Sequence, residues 1–204
     1  MDWFNNWIMV VASISFFSFF VLAFVKPIKK KNWKGLGIYE AFIVSLFTEM
    51  FGIPLTIYIL SSLGLPLIAD PLHGHLLAAF LSIIGLWDLE TGVMIVMIIS
   101  TLMLLLGGYL IITGWQQVHG SKGKLVTKGV YGIVRHPQYL GLIVATGAFI
   151  VQWPTIITVL MWPILTYAYY RQAKTEEKEL EKRFGTEYNA YKEKVPMFIP
   201  RFKR

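Results

Sequence analysis

The chain contains no cysteine among its 204 residues. That absence excludes a disulfide framework, a thiolate zinc site, an iron–sulfur cluster and a cysteine nucleophile, and leaves the redox compartment unread. Charge is also scarce. Only 15% of residues are Asp, Glu, Lys or Arg, against roughly 25% in soluble domains. Acidic residues are the rarer sign, 12 against 19 Lys and Arg, for a net charge of +7. No internal repeat, low-complexity tract or separate soluble domain stands out. Apolar residues make up 55% of the chain, and mean hydropathy is +0.57. So little water-facing surface reads as a membrane protein. At about 20 apolar residues per crossing, the length supplies four to six helices in a compact bundle.

The apolar runs set the expected layout. Trp3 to Val25 resembles a secretory signal, but its basic cluster, Lys26, Lys29, Lys30, Lys31 and Lys34, follows the run instead of preceding it. A signal peptide has the opposite order, so the run reads as a retained transmembrane helix. Tyr39 to about Leu60 is a second run, interrupted by Gly52 and Pro54, which a membrane helix tolerates as a kink. Turn residues fill Ser61 to His75, and His75 to Leu86 is too short to cross, so it reads as interfacial or re-entrant. Val93 to Trp115 is a clear span. Tyr139 to Tyr170 is broken at Gln152-Trp153-Pro154 into the two short arms of a helical hairpin. Beyond it, Lys174 to Arg183 reads as a polar helix stopped near Phe184-Gly185, with a second short helix around Glu187 to Lys194. The expected fold class is all-α: a polytopic membrane bundle of about five helices, the last two a hairpin, with a cytoplasmic helical tail.

Basic residues orient this layout, because cytoplasmic loops retain them. Five lie from Lys26 to Lys34, four from Lys122 to Arg135 and ten from Arg171 onward, which accounts for all 19. The N-terminus, the loop from Ser61 to Gly92 and the hairpin tip near Trp153 are then expected outside, and the C-terminus in the cytoplasm. Positive charge along one membrane face, facing anionic lipid, explains the basic balance without nucleic acid.

Charges inside apolar segments are functional suspects, since each costs on the order of 2.5–3.5 kcal/mol at a helix centre. Glu40 sits near a helix end, within reach of Lys34 or a headgroup. Glu49 lies near mid-span and is a candidate for chemistry or for a polar contact between helices. His73 and His75, with Asp70 nearby, lack a third ligand at a persuasive spacing, so no metal is expected and both histidines read as solvated loop side chains.

The segment from Gln116 to Gly141 is richer. It holds His119, a Gly-Ser-Lys-Gly turn, Leu125-Val126, Tyr131 and then Arg135-His136-Pro137-Gln138-Tyr139-Leu140-Gly141. Proline at a first helical position costs little, because that amide has no intrahelical partner. Arg135 and His136 are therefore expected at the membrane boundary with backbone amides open to an anion. A hairpin returns its ends to one place, which brings Arg171 and Glu176-Glu177 to the same surface. Basic and acidic groups together, walled by Tyr131 and Tyr139, suit a zwitterionic ligand.

These residues carry a resemblance. Arg135-His136-Pro137-x-Tyr139-x-Gly141, then Glu176-Glu177-x-x-Leu180, Phe184-Gly185-x-x-Tyr188-x-x-Tyr191 and Val195-Pro196 resemble the isoprenylcysteine carboxyl methyltransferase family of integral-membrane enzymes, with phospholipid methyltransferases as relatives. Leu125-Val126-x-x-Gly129-Val130-Tyr131 belongs to the same pattern, and the match runs from about Trp115 to Arg201. It implies S-adenosylmethionine bound in a cytoplasm-facing pocket by Gln116, Gly123, Lys124, Leu125, Val126, Tyr131, His136, Pro137, Gln138, Tyr139 and Glu176. Arg171 lies near the family's substrate-facing arginine. Residues 116–204 are then the donor-binding core and residues 1–115 the part that admits a lipophilic substrate from the bilayer. The strand-to-helix glycine turn of soluble methyltransferases is missing, which fits a membrane-type enzyme.

Methyl transfer from a sulfonium is an in-line displacement whose leaving group is already good, so alignment and water exclusion are the main tasks. A carboxylate acceptor needs no base and would be oriented by Arg171 or Arg135. An amine acceptor must lose a proton, for which Glu49, Glu176 or Glu177 is the candidate. Two other readings remain at this point: a small transporter or lipid-binding protein using Glu49, and a scaffold whose mixed-charge tail docks a partner.

Overall fold

A computed structural model of the chain describes residues 4–24, 33–66 and 74–200, with the side chains of 20–24 and 33–35 left aside. Lys26, Lys29, Lys30, Lys31, Asp70 and His73 lie outside the described residues, as does the side chain of Lys34. Among the described residues there is no strand, as expected of an all-α chain. The helices are α1 (Trp7–Phe24), α2 (Trp33–Phe47), α3 (Leu55–Ser62), α4 (Leu76–Ile83), α5 (Leu89–Gly120), α6 (Pro137–Gln152), α7 (Ile156–Phe184) and α8 (Thr186–Lys194). A π-helical turn, Thr48–Gly52, extends α2, and a 3₁₀ turn, Gly129–Gly132, precedes α6.

Helix α5, 32 residues long, is alone long and apolar enough to cross a membrane among the described residues. Residues 36–52 and α3 pass the same test as a pair bent by 68°, which is the interruption expected at Gly52 and Pro54. Ile53 is extended, with φ −112° and ψ 113°, because a following proline disfavours helical backbone. Helix α6 and the apolar part of α1 are shorter. The expected span from Val93 to Trp115 starts earlier and ends later. The Asp88 carboxylate caps it by accepting the Thr91 amide at 2.9 Å, and no breaker stands between Gln116 and Gly120.

The hairpin break falls at Gln152-Trp153-Pro154 as expected, but its second arm does not stop at Tyr170. Helix α7 runs unbroken to Phe184 through Pro163, so the polar helix expected from Lys174 is the continuation of the apolar arm. Nothing between Tyr170 and Lys174 interrupts backbone hydrogen bonding. Gly185, at φ +52°, ends it in a conformation that favours glycine.

The chain divides into two compact units. The first holds residues 1–103 and 146–165. Within it Phe17 stacks on Phe47 at 5.2 Å and meets Phe149 edge-on at 5.4 Å. Thr155 and Thr158 cap the start of α7 reciprocally, each hydroxyl accepting the other's amide, and the Ile156 amide donates to Thr56 Oγ1 at 3.0 Å. His75 is not the solvated loop side chain expected. It is buried, with Nδ1 3.0 Å from the Gln152 carbonyl and its ring 4.7 Å from that of Trp153. Glu40 Oε2 accepts the Ser18 hydroxyl at 2.5 Å, a partner the sequence reading did not supply.

The second unit holds residues 104–145 and 166–204. Helices α5 and α6 cross here at two glycines. A Cβ on Gly141 would lie 2.7 Å from the Gly107 carbonyl and 2.8 Å from Ile111, so only glycine admits this approach. Tyr188, Tyr191 and Val195 form a small core packed by Leu125, Leu180 and Phe184.

Candidate active site

The second unit gathers the charged and aromatic residues of the motif around one buried arginine. Arg135 precedes α6, and its side chain is 8% exposed. Its Nε and Nη2 donate to Glu177 Oε1 at 2.9 and 2.5 Å. Nη1 donates to the Lys192 carbonyl at 3.1 Å and to the Val195 carbonyl. One guanidinium thus fastens α7, the end of α8 and the segment after it to the start of α6. That segment closes along the backbone as well: the Arg135 amide donates to the Pro196 carbonyl at 2.9 Å and the His136 amide to Met197 at 3.3 Å. These two amides were expected to face an anion. They are taken by the chain itself, because a buried amide must find an acceptor.

Glu177 is buried, with 2% of its side chain exposed. Lys174 and Lys192 lie 3.8 Å from Oε2, and His136 Nε2 lies 3.5 Å from Oε1. Burial pushes the Glu177 carboxyl up, but the His136 imidazole and the Arg135 guanidinium outweigh it and hold the group at about 2. A carboxylate held so low is a poor proton acceptor near neutrality. The geometry makes Glu177 an ion-paired anchor between α7 and Arg135, and of the three carboxylates considered for taking a proton from an amine, Glu177 is held on the unfavourable side by its cationic neighbours.

Glu176 faces differently. Its Oε1 accepts the Tyr139 hydroxyl, and Oε2 lies 3.9 Å from His136 Nδ1. Burial pushes its carboxyl above the usual range, while the Tyr139 hydroxyl and His136 pull it back. With 40% of its side-chain surface exposed, water tempers the upward push. Burial, then the Glu176 charge, also raises the Tyr131 phenol.

Around this carboxylate runs a row of rings. Tyr169 stacks on Tyr139 at 5.7 Å, Tyr139 lies 6.0 Å from His136, and His136 lies 6.0 Å from Phe198. The sequence reading included Tyr139 and His136 and missed Tyr169 and Phe198. Helical spacing holds the signal for Tyr169, since Tyr169, Ala173 and Glu177 recur every four residues and all are buried. Phe198 has none, because it lies in irregular backbone.

The other expected residues are spread through both units. Pro137 is fully buried and Gln138 half-buried; Gln138 fits against Gly114, where a Cβ would come within 2.9 Å of its Cγ. Leu125 packs on the α8 core, and Val126 beside it is half-buried. Gly123, at φ +85°, offers its carbonyl to Arg183 Nη2 at 2.9 Å. The Lys124 amide closes the preceding turn onto Ser121. Gln116 is exposed on α5. The Tyr131 carbonyl accepts the Tyr191 hydroxyl at 2.7 Å. Arg171 is exposed and stands five residues before Glu176, about 140° around α7. Glu49 belongs to the first unit, where its Oε2 accepts the Thr56 amide at 3.0 Å and Oε1 is buried without a hydrogen bond. Among the described residues no cluster of three metal-ligating side chains occurs.

Residues 92–182 match the isoprenylcysteine carboxyl methyltransferase family, which bears out the resemblance carried by the motif. The chain is 38% identical over 77 residues to a protein-S-isoprenylcysteine O-methyltransferase of Schizosaccharomyces pombe, covering 37% of this chain and 33% of that one. It is 32% identical over 78 residues to protein-S-isoprenylcysteine O-methyltransferase B of Arabidopsis thaliana, covering 38% and 40%. It is also 41% identical over 71 residues to methanethiol S-methyltransferase 1 of Bradyrhizobium diazoefficiens, covering 35% and 24%. The chain thus spans about a quarter to two fifths of the length of these relatives. No solved structure matches it.

Proposed function

We propose that the chain is an integral-membrane, S-adenosylmethionine-dependent methyltransferase acting on a lipophilic acceptor, a prenylcysteine-like carboxylate or another lipid-like acid or amine. The observation that carries this reading is the half-exposed Glu176 carboxylate set in a row of aromatic rings, on the segment that matches the family. Ring faces and a carboxylate together favour a cation, and the methyl donor is a sulfonium that also bears an ammonium group. When bound, the donor supplies an electrophilic methyl group with a neutral thioether as leaving group.

The protein's own part is binding and alignment. Glu176, held by the Tyr139 hydroxyl, offers negative charge, while Tyr131, His136 and Tyr139 wall the site. Gln116, Pro137, Gln138 and the turn from Gly123 to Val126 complete the donor-binding set. Arg171 is assigned to orienting a carboxylate acceptor, and Glu176 in place of Glu177 to taking a proton from an amine. Residues 116–204 form the donor-binding part and residues 1–115 admit the acceptor from the bilayer, with a multi-pass topology, N-terminus outside and C-terminus cytoplasmic. The arrangement of 19 basic residues in three segments supports that orientation. Glu49, engaged with the Thr56 amide, gives the transporter reading no separate support.

The test is calorimetric binding of S-adenosylmethionine and S-adenosylhomocysteine to detergent-purified protein. Saturable binding that His136→Ala and Glu176→Ala each weaken at least tenfold is the expected result. A folded wild-type protein that binds neither compound overturns the proposal.

A further inference from the structure

We infer that Phe198 is a donor-site residue, and that Arg135 is the positioning residue that puts it there; this rests on the reading above and extends the site to the C-terminal segment. Three observations carry it. The segment after α8 is fastened at both side-chain and backbone level: the Arg135 guanidinium binds the Lys192 and Val195 carbonyls, and the Arg135 and His136 amides bind the Pro196 and Met197 carbonyls. Residues 195–197 are thereby held directly beside the start of α6, and the next residue is Phe198. Its ring lies 6.0 Å from the His136 ring, tilted by 50°, the same distance that separates His136 from Tyr139. Finally, Phe198 is only half-buried, so part of the residue remains accessible. An aromatic side chain held in register by a buried arginine yet left partly open is placed to cover a ligand.

The arrangement also explains why Arg135 is not a ligand-binding cation. Its donors go to Glu177 and to two main-chain carbonyls, so its contribution to the site passes through the backbone it holds. Phe198 contributes apolar area and a ring face, which serve a bound nucleoside or sulfonium group by stacking or by cation–π attraction.

The experiment measures S-adenosylhomocysteine binding by calorimetry on the full chain in detergent, with thermal unfolding recorded for each variant. Phe198→Ala weakens binding tenfold or more at an unchanged unfolding midpoint, whereas Phe198→Tyr, which keeps the ring, stays within threefold of wild type. Ile199→Ala, at a side chain 81% exposed, leaves binding unchanged. Arg135→Lys keeps the charge but not the forked donors, and it weakens binding in proportion to the Phe198→Ala loss without abolishing it. If wild type binds and Phe198→Ala binds equally well, or if Phe198→Tyr fails as badly as Phe198→Ala, the inference is wrong while the methyltransferase reading stands. If Phe198→Ala loses binding only together with its unfolding midpoint, Phe198 is a packing residue and the inference is again wrong. If wild type does not bind, both fall.

Discussion

Replacing Glu177 by glutamine removes one charge at nearly constant shape, and the structure sets the size of the effect. The Glu177 carboxyl is displaced from an ordinary 4.5 to about 2, which corresponds to about 3 kcal/mol of folding free energy held by its ionised form. Its side chain is 2% exposed, so solvent screening subtracts little. A folded-state value below the unfolded one means that the contribution is complete above pH 4.5 and is lost as pH falls toward 2. Glu177→Gln imitates the protonated group at every pH. Its deficit against wild type is therefore expected to be about 3 kcal/mol near pH 6 and only about 1 kcal/mol near pH 3. The same figure follows from geometry, because removing one partner of a buried pair costs about 3–5 kcal/mol, and the two carbonyls on Arg135 Nη1 keep the effect at the low end.

The assay is reversible unfolding of the detergent-solubilised protein, followed by near-ultraviolet circular dichroism through tryptophan and tyrosine, at pH 6 and pH 3. Taking the difference between wild type and variant cancels the other carboxylates, which titrate in both. A deficit that is the same at the two pH values, or absent at pH 6, refutes the assignment of Glu177 as an ionised anchor. It would restore that residue as a candidate proton acceptor.

Gly141→Ala drives a methyl group to 2.7 Å from the Gly107 carbonyl and is expected to cost about 1–3 kcal/mol in the same unfolding assay, while Gly108→Ala, which meets nothing within 4 Å, is silent. Glu49→Gln retains an acceptor for the Thr56 amide and is expected to change stability by less than about 1 kcal/mol, whereas Glu49→Ala orphans that amide at about 1–3 kcal/mol; equal effects of the two would give the Glu49 charge itself a role. Arg171→Ala is expected to leave donor binding unchanged and, with a carboxylate acceptor, to raise the acceptor KM at least tenfold; steady-state methyl transfer to a prenylcysteine analogue reads this, and an unchanged KM removes Arg171 from the site.

Legibility in the sequence followed the kind of signal each feature carries. The hairpin break was readable because Pro154 cannot continue a helix, and the bend before α3 because Pro54 forces Ile53 to extend. The end of α7 was readable at Gly185, but its beginning as a polar tail was not, since a change of composition at Lys174 alters solvation without breaking backbone hydrogen bonds. His75 was misread because a histidine between glycine and leucine carries no sign of the Gln152 carbonyl, 77 residues away, that receives it. In the site, Glu176, Tyr139 and His136 were named together. The partner of Arg135 was not: several acidic residues share the tail, and only the fold decides that Glu177 turns inward and Glu176 stays half-open. Main-chain capture of Arg135 by Lys192 and Val195 leaves no side-chain signature at all.

That division between two adjacent glutamates shapes the chemistry. Successive helical residues point about 100° apart, so a Glu-Glu pair on one face of α7 sends one carboxylate into the protein and leaves the other at its boundary. The inward one meets Arg135, His136 and two lysines and is neutralised there; Lys192 is shared further with Glu181 at 2.5 Å. Arg135, one of the two arginines expected to orient a ligand carboxylate, is consequently engaged inside the protein while Arg171 stays exposed, and the carboxylate that the ring row presents is that of Glu176. Such a site favours the cationic part of a zwitterion, the sulfonium or ammonium end, and leaves any ligand carboxylate to find exposed basic residues or water. With the sulfonium donor proposed above, a neutral thioether product would lose the sulfonium attraction as soon as it formed, so the electrostatics that favour such a donor would also weaken the hold on what remains after transfer.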